Sequence, residues 1–254
     1  MKSSQTSSIR NRPWRLFAVL GAVTLLAAVL SMALGPVSVA PWDVLAALFS
    51  GSDGSAEARI VLYARLPRTA GCILAGAALA VSGALTQSVL ANPLASPGTI
   101  GVNSGAGVAA AICCAVAPTS QALVPIAAFI GAMAATLLVL FIAERTGASR
   151  ITLVLAGVAI SSMLSAAIDA VSILFPEAAL GAGSFMVGRL SGVTVAALKV
   201  PALLSLLAGA GAFAMSYELD LLTLGDEVAQ SLGLSARAAR NLLLTLAAGL
   251  GGAA

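Results

Sequence analysis

The sequence predicts an all-α fold, a polytopic bundle of transmembrane helices. Charged residues make up 9% of the 254 residues, against about 25% in an average soluble domain. Hydrophobic residues make up 59%, and the mean hydropathy is +1.03. No charged residue occurs in the 75 positions from Thr69 to Ala143. A soluble domain with so few charges could not cover its own surface, so these values are typical of an integral membrane protein.

Missing residue types exclude several classes of function. The chain contains no histidine, which removes His-ligated metal sites and Ser-His-Asp triads. Its lysines, Lys2 and Lys199, do not follow a Gly-rich loop, so there is no Walker A site. Cys72, Cys113 and Cys114 lie in apolar runs without metal-ligand spacing and are interpreted as packing residues. We expect no catalytic residue, metal, cofactor or nucleic-acid partner, and we attribute the net charge of +3 to membrane topology signals.

The first predicted span is the uncharged run of 19 residues from Leu16 to Leu34, which is long enough for one crossing. A cleaved signal peptide has an apolar core of only about 7–15 residues. We therefore expect a retained first helix, preceded by a cytoplasmic N-terminal tail over residues 1–15.

Breaker residues divide the remaining apolar sequence. Asn92-Pro93, Ser96-Pro97-Gly98 and the Pro118–Pro125 segment interrupt the long uncharged run. The predicted spans after the first are 69–91, 99–117, 121–143, 151–175 and 194–215, with a seventh starting near Asn241. Ala254 lies roughly ten residues into the seventh span, which needs about 20 residues to cross. We expect six complete spans plus the start of a seventh, in one permease-like domain that is incomplete at its C-terminus.

Alternation of the spans places most basic residues on the cytoplasmic side. The cytoplasmic segments hold Lys2, Arg10, Arg12, Arg15, Arg145, Arg150, Arg237 and Arg240. The external segments hold Arg59, Arg65, Arg68, Arg189 and Lys199. The bias has the expected direction but is modest, so the external arginines need an explanation.

Small residues recur at three- and four-residue spacing in the second and third spans. Gly76 and Gly83 lie in the second span, and Gly101, Gly105 and Gly107 lie in the third. Such spacing lets membrane helices approach closely, so we expect both helices inside the bundle. The polar residues between them line a narrow pathway or form interhelical hydrogen bonds; they are Ser82, Thr86, Gln87, Asn103 and Ser104.

One acidic residue, Asp169, lies inside a predicted span. It lies about 9 Å from the outer end by the helical rise. It is interpreted as a solvated acid near the outer surface or as part of a pathway.

The sequence Arg65-Leu66-Pro67-Arg68 predicts a helix start, because proline suits the first turn. Both arginines would then lie at a helix N-terminus, where the dipole disfavours cations. Acidic groups on another protein would explain them; solvated or lipid-bound arginines are the alternative.

The segment 224–233 predicts a short ordered helix in a cytoplasmic loop. Gly225 precedes Asp226 and Glu227, which suit a first helical turn, and Val228 and Leu232 share a face. Gly233 followed by an apolar residue indicates a glycine stop, and a second helix starts at Ser235. This element is interpreted as a docking site or as a merely structured loop.

Taken together, these motifs resemble the permeases of ABC importers for iron-siderophores, haem and vitamin B12, the FecCD-like family of type II importers. The likeness runs from about residue 16 to the end of the chain and is specific as a set. The matching motifs are Arg65-Leu-Pro-Arg68, Gly76-Ala-Ala-Leu-Ala-Val-Ser-Gly83 with Gln87, Asn92-Pro-Leu-Ala95 with Pro97-Gly98, Gly101-Val102 with Ser104-Gly105, Gly188 with Leu190-Ser-Gly192, and Leu224-Gly-Asp-Glu-Val-Ala229 with Ser231-Leu-Gly233.

The resemblance implies a homodimeric or heterodimeric permease with about ten helices per subunit in the inner membrane of a prokaryote. Two cytoplasmic ATP-binding subunits would hydrolyse ATP, and an extracytoplasmic substrate-binding protein would deliver the ligand, by base rate an iron-siderophore. Arg65 and Arg68 would pair with acids of the binding protein, and 224–233 would be the coupling helix on the ATPase. The turn 144–150 would match the cytoplasmic gate, and 176–188 a short helix near the external gate.

Two other functions compete with this one. An ion-coupled secondary transporter needs ionisable groups near mid-membrane, and Asp169 is the acid that the spans offer. An intramembrane enzyme needs a nucleophile with a base or paired aspartates, and the chain lacks that set.

Overall fold

The computed structural model describes residues 13–51, 55–147 and 149–254. Every regular element in these ranges is helical, which confirms the predicted all-α fold. The predicted cytoplasmic residues Lys2, Arg10 and Arg12 lie outside the described residues. The α-helices, numbered in chain order, are α1 (Pro13–Ala33), α2 (Pro41–Ser50), α3 (Ala56–Ile60), α4 (Leu66–Leu90), α5 (Val102–Val116), α6 (Val124–Arg145), α7 (Arg150–Leu174), α8 (Pro176–Met186), α9 (Val195–Ala214), α10 (Ser216–Thr223), α11 (Asp226–Ser231) and α12 (Ala236–Ala253).

Five helical stretches of the described chain are long and apolar enough to cross a membrane. They are Trp14–Ala33, Ala56–Leu90, Val124–Arg145, Arg150–Leu174 and Val195–Ala214. The predicted third span is the exception, because α5 has 15 residues and measures about 22 Å. A 3-10 turn over Pro97–Ile100 and a left-handed Gly101 (φ 87°) occupy the positions before it.

The first compact unit contains the described residues up to Gly71 together with Gly192–Val195. Its core joins the last turn of α1 to α2 and to the start of the next long helix. The buried members are Met32, Ala33, Val39, Val44, Ala47, Ala58 and Val61. α2 therefore packs on the end of α1.

The second predicted span begins earlier than expected. α3 and α4 form one continuous helical stretch through a π-helical turn over Val61–Arg65. In this turn the Leu66 N–H reaches back to the Val61 carbonyl. Pro67 lacks an N–H, and its ring would clash with a carbonyl four residues earlier, so a wider turn accommodates it. The prediction that the helix starts at Pro67, with Arg65 and Arg68 at its N-terminus, is wrong.

The second compact unit contains Cys72–Ser191 and Ala196–Ala254. α5 and α6 cross through two glycines: a Cβ on Gly105 would lie 2.4 Å from the Gly131 carbonyl oxygen. This crossing bears out the prediction of an inward third helix. Gly76 and Gly83 of α4 have no atom within 4 Å of such a Cβ, so the same prediction fails for the glycines of the second helix within this chain.

α12 begins at Ala236 with Ser235 as its N-cap, which confirms the predicted second helix start at Ser235. It runs without a break into the apolar span that was predicted from about Asn241. Its polar first turns are helical as well, because the helix is amphipathic and packs one face inward. Leu243, Leu244 and Ala247 on that face are 0% exposed. α10 was not predicted, because its acidic sequence follows the sixth span without a breaker.

Replacing Gly105 with alanine is expected to destabilise the protein by about 1–3 kcal/mol, because the added methyl group overpacks the crossing of α5 and α6. Gly21 of α1 has open space at its Cβ position, so Gly21→Ala is the control and should be neutral or stabilise by up to about 1 kcal/mol. Thermal unfolding of the purified variants in detergent, followed by circular dichroism, measures both. Equal stability of the two variants would contradict the close crossing.

Candidate functional site

The segment 224–233 folds as a short helix between two glycines with positive φ. Gly225 (φ 107°) and Gly233 (φ 86°) flank α11. The Gly233 N–H donates to the Gln230 carbonyl at 2.9 Å, and the Leu234 N–H donates to the Ala229 carbonyl at 3.0 Å. This pair of hydrogen bonds is the Schellman stop that the sequence predicts.

Asp226 joins this short helix to two others. Its Oδ1 accepts a hydrogen bond from Arg150 Nη2 at 2.8 Å, and its Oδ2 accepts one from Arg240 Nη2. Arg150 is the first residue of α7, and Arg240 lies in α12 and is 4% exposed. Arg150 Nη2 also donates to the Leu222 carbonyl at 2.8 Å. We call Asp226, Arg150 and Arg240 the ionic joint.

This joint was not predicted from the sequence. There Arg150 and Arg240 are interpreted as topology signals and Asp226 as a first-turn acid. The three residues are 76 and 14 positions apart, so no local spacing connects them. A second long-range contact, from Asn241 Nδ2 to Glu144 Oε1, joins α12 to the end of α6.

The ionic joint keeps Asp226 ionised. Burial alone would raise the pKa of Asp226, but the Arg150 hydrogen bond and the charges of Arg240 and Arg150 outweigh it. Together they hold the pKa below its ordinary value.

The opposite side of the segment is apolar and exposed. Val228 is 44% exposed, Leu232 59% and Leu224 62%. Ala229, by contrast, is fully buried against the chain. Glu227 and Ser231 are exposed beside the apolar side chains. An ordered element that holds apolar side chains out of its own core is suited to docking a partner.

Arg65 and Arg68 lie in different surroundings. The Arg65 guanidinium donates to the Met32 carbonyl at 2.7 Å, to the Ala33 carbonyl at 2.8 Å and also to the Val37 carbonyl. It therefore caps the C-terminal carbonyls of α1, which have no partner in their own helix. Arg68 is exposed. The structure separates two arginines that the sequence analysis treated as a pair.

The predicted pathway residues divide into buried and accessible groups. Ser82 and Thr86 are 0% exposed; Ser82 donates to the Ala247 carbonyl at 2.5 Å and Thr86 to the Ser82 carbonyl at 2.8 Å. Gln87 and Asn103 are exposed, and half-buried Ser104 bonds the Gly101 carbonyl at 3.3 Å. For Ser82, the structure favours the interhelical hydrogen bond.

Asp169 lines a groove of about 560 Å³ along α7. The groove is rich in hydroxyl groups; its polar lining comes from Ser96, Thr99, Ser161, Ser162, Ser165 and Asp169. Its exposed place in this groove is compatible with both interpretations of Asp169, a solvated acid near the outer surface or part of a pathway. The serines of α7 were not predicted. Their signal is weak, because isolated serines in membrane helices usually bond their own backbone.

The wall of this groove includes Ser96 and the 3-10 turn Pro97–Ile100, a stretch of backbone that is not α-helical and lies beside the middle of α7. Gly157 carries no side chain, and a Cβ there would lie 1.9 Å from the Thr99 carbonyl oxygen. Ser161 Oγ donates to the Gly98 carbonyl at 3.3 Å. At membrane depth, non-helical backbone occurs only where protein buries it or where it lines a water-filled cavity. The groove is therefore suited to a hydrated pathway.

Among the described residues, no group of three or more His, Cys, Asp or Glu side chains is arranged to hold a metal ion. The groove contains one carboxylate, from Asp169, among neutral hydroxyl groups.

Comparisons with known proteins show which transport proteins this chain is similar to. A family model described as the FecCD transport family matches residues 23–254. The chain is 40% identical over 239 residues to the ferric enterobactin transport system permease protein FepD of Escherichia coli K12, covering 92% of this chain and 71% of that protein. It is 34% identical over 249 residues to the Fe(3+)-citrate import system permease protein YfmE of Bacillus subtilis 168, covering 98% and 74%.

A solved structure described as a "metal-chelate type ABC transporter" in "an inward-facing conformation" has the same fold. It matches with a TM-score of 0.81 over 94% of this chain and 74% of that chain, at 22% sequence identity. At this identity the likeness establishes the fold alone.

Replacing Arg65 with alanine is expected to destabilise the protein by about 1–3 kcal/mol, because the end of α1 loses a charged hydrogen-bond donor. Arg68→Ala should change stability by less than about 0.5 kcal/mol, because the side chain is exposed. Thermal unfolding in detergent compares the two. The assignment of Arg65 as a cap fails if both variants melt together with the wild type.

Asp226→Asn is expected to destabilise the protein at pH 7. Loss of an exposed ion pair costs about 0–1 kcal/mol and breaking a buried one costs about 3–5 kcal/mol, and the cost for this half-buried pair should lie between these values. The pKa of Asp226 is lowered by folding. The carboxylate therefore stabilises the fold above its unfolded pKa of about 4, and this stabilisation is lost as the pH falls through the lower folded pKa.

Melting temperatures across this acidic range measure the effect. The wild type should lose its advantage over Asp226→Asn as the pH falls. The control is Asp220→Asn, an exposed acid in α10. A constant difference between wild type and Asp226→Asn at every pH would contradict the role of the charge.

Proposed function

We propose, since this chain belongs to the FecCD transport family, that it is the permease subunit of an ATP-driven importer of iron-siderophore complexes. The family model covers residues 23–254, which confirms the resemblance drawn from the motifs. The chain is a multi-pass membrane protein of a transport family rather than an enzyme. Iron in this proposal is cargo, carried in a chelate. Two relatives named for ferric enterobactin and Fe(3+)-citrate transport support this substrate class.

The observation that carries the proposal is the construction of the segment 224–233. Its apolar side chains Val228 and Leu232 are exposed, while Asp226 fixes it to the rest of the chain. We infer that this face docks on a cytoplasmic ATP-binding subunit, with Leu224, Glu227 and Ser231 at its edge. ATP is bound and hydrolysed on that partner, and the segment 224–233 of the present chain receives the resulting movement.

The ionic joint connects the segment 224–233 to the helix that lines the groove. Asp226 bonds Arg150 at the first residue of α7, and the same helix carries Ser161, Ser165 and Asp169 in the groove. A packed helix transmits displacement along its length because its core does not deform continuously. Movement of 224–233 by the ATPase therefore shifts the wall of the groove, which is the step that alternating access requires.

The chemistry of the groove suits a large polar ligand that must pass without being held. Hydroxyl groups from serine and threonine replace water at a ligand surface, whereas a charged cluster would bind an iron chelate too tightly to release it. Gln87 and Asn103 are accessible from outside the chain's own core. We infer that a second permease subunit, identical or related, faces α4 and completes the pathway, since Gly76 and Gly83 leave its small-residue face open.

Arg68 is the residue we assign to docking of the extracytoplasmic substrate-binding protein. Its exposed guanidinium is available for an acidic side chain of that protein, whereas the donors of Arg65 are directed at the end of α1. Arg65 then acts indirectly, by holding the segment that carries Arg68. We infer that the N-terminus lies in the cytoplasm, because one membrane-spanning helix separates it from the segment that this proposal assigns to the external side.

An ion-coupled secondary transporter has less support. Such a mechanism needs buried ionisable groups near mid-membrane. Asp169 is exposed, and the relatives named above are permeases of transport or import systems for iron compounds.

The double variant Val228→Glu/Leu232→Glu tests the docking proposal. It places two charges on the apolar face without touching the ionic joint, and should weaken co-purification with the cognate ATP-binding subunit by more than about tenfold, or 1.4 kcal/mol. The control is Val187→Glu, since Val187 is 85% exposed and lies on the external side in the proposed topology. If the double variant retains the ATP-binding subunit as well as this control does, the docking site is elsewhere.

A further inference from the structure

α2 is apolar on two opposite faces. Val44 and Ala47 are 2% and 3% exposed and face the core of the first unit. On the other side, Trp42 is 76% exposed, Leu45 49% and Phe49 88%. These three positions are spaced three and four residues apart, so they form one continuous stripe on the helix surface. A stripe with two exposed aromatic rings needs an apolar cover.

The buried face of α2 fixes its depth. Val44 and Ala47 share a core cluster with Met32 and Ala33, which form the last turn of α1. α1 has 21 residues and measures about 32 Å, which matches a hydrocarbon core of about 30 Å. α1 therefore leaves the hydrocarbon near Ala33, and α2 lies at that level.

The exposed stripe also continues a lipid-facing surface. Leu30 and Leu34 at the end of α1 are 45% and 67% exposed, and the helix below them presents apolar side chains outward over its whole length. Seven residues, 34–40, separate α1 from α2. The two exposed surfaces thus lie at one end of the same compact unit.

We propose that α2 is an interfacial anchor, with Trp42, Leu45 and Phe49 inserted at the boundary between lipid headgroups and acyl chains. Trp is favoured at this depth because its ring is apolar and its indole N–H reaches a polar partner. Amphipathic helices held in this way lie in the plane of the interface. The anchor requires membrane insertion of the chain and is independent of what the chain transports.

The anchor has a consequence for the segment that carries Arg68. Arg65 bonds carbonyls at the end of α1, and α2 packs on that same end. Lipid contact at α2 therefore sets the depth in the membrane of the segment that carries Arg68.

Fluorescence quenching tests the anchor. The chain has two tryptophans, Trp14 and Trp42, and Trp14 is 66% exposed in α1, so Trp14→Phe leaves Trp42 as the single reporter. The full chain is reconstituted into phosphatidylcholine vesicles whose acyl chains carry bromine close to the headgroup or close to the methyl end. We expect loss of Trp42 emission with the shallow label and a smaller loss with the deep label.

Quenching of Trp42 by a water-soluble quencher is the second measurement. Acrylamide in the buffer should quench Trp42 less than it quenches the free indole analogue. Leu45→Asp/Phe49→Asp should expel the helix from lipid and raise the acrylamide quenching of Trp42 toward that of the free indole. Strong acrylamide quenching without bromine quenching in the parent would overturn the proposal. Protection of Trp42 only after addition of a purified binding protein would also overturn it and would assign the stripe to protein docking.

Discussion

The satisfaction of backbone polar groups where helices end or widen is the constraint on which the rest of this structure depends. In three parts of the described chain, a specific donor meets a carbonyl at such a place. Arg65 caps the end of α1, and the Leu66 N–H closes the wide turn before Pro67. In the segment before α5, Thr136 Oγ1 donates to the Ile100 carbonyl at 3.2 Å and Ser161 Oγ to the Gly98 carbonyl at 3.3 Å.

This constraint also explains why the groove lies where it does. The 3-10 turn before the short α5 lies beside the middle of α7, and Gly157 allows the two to touch. Hydroxyl side chains that satisfy this backbone also give the cavity a polar wall. The same helix begins at Arg150, which Asp226 holds. One helix, α7, thus runs from the arginine that Asp226 holds to the residues that line the groove.

The sequence predicted the elements whose signal is local. Composition established the helical membrane fold, and Gly225, Asp226 and Gly233 predicted the short helix and its stop. Three features escaped because their cause is distant in sequence: the ionic joint, the cap by Arg65 and the pairing of Gly105 with Gly131. The helix start predicted at Pro67 was wrong for a different reason. A π-turn within a continuous helix accommodates the proline, so its preference for a first turn does not decide where the helix begins.

Whether a polar side chain is satisfied within the chain separates structural roles from docking roles more sharply than residue type does. Arg65 and Arg68 belong to one motif, yet Arg65 donates hydrogen bonds to three backbone carbonyls, whereas Arg68 is exposed. In the segment 224–233, both carboxylate oxygens of Asp226 accept hydrogen bonds from arginines, while the Leu232 side chain is exposed. A partner gains binding energy from groups that are not already paired, because a paired group must first lose its own contacts. In the docking proposed for the segment 224–233, Asp226 therefore orients the segment, and the exposed apolar residues are the groups that would contact the partner.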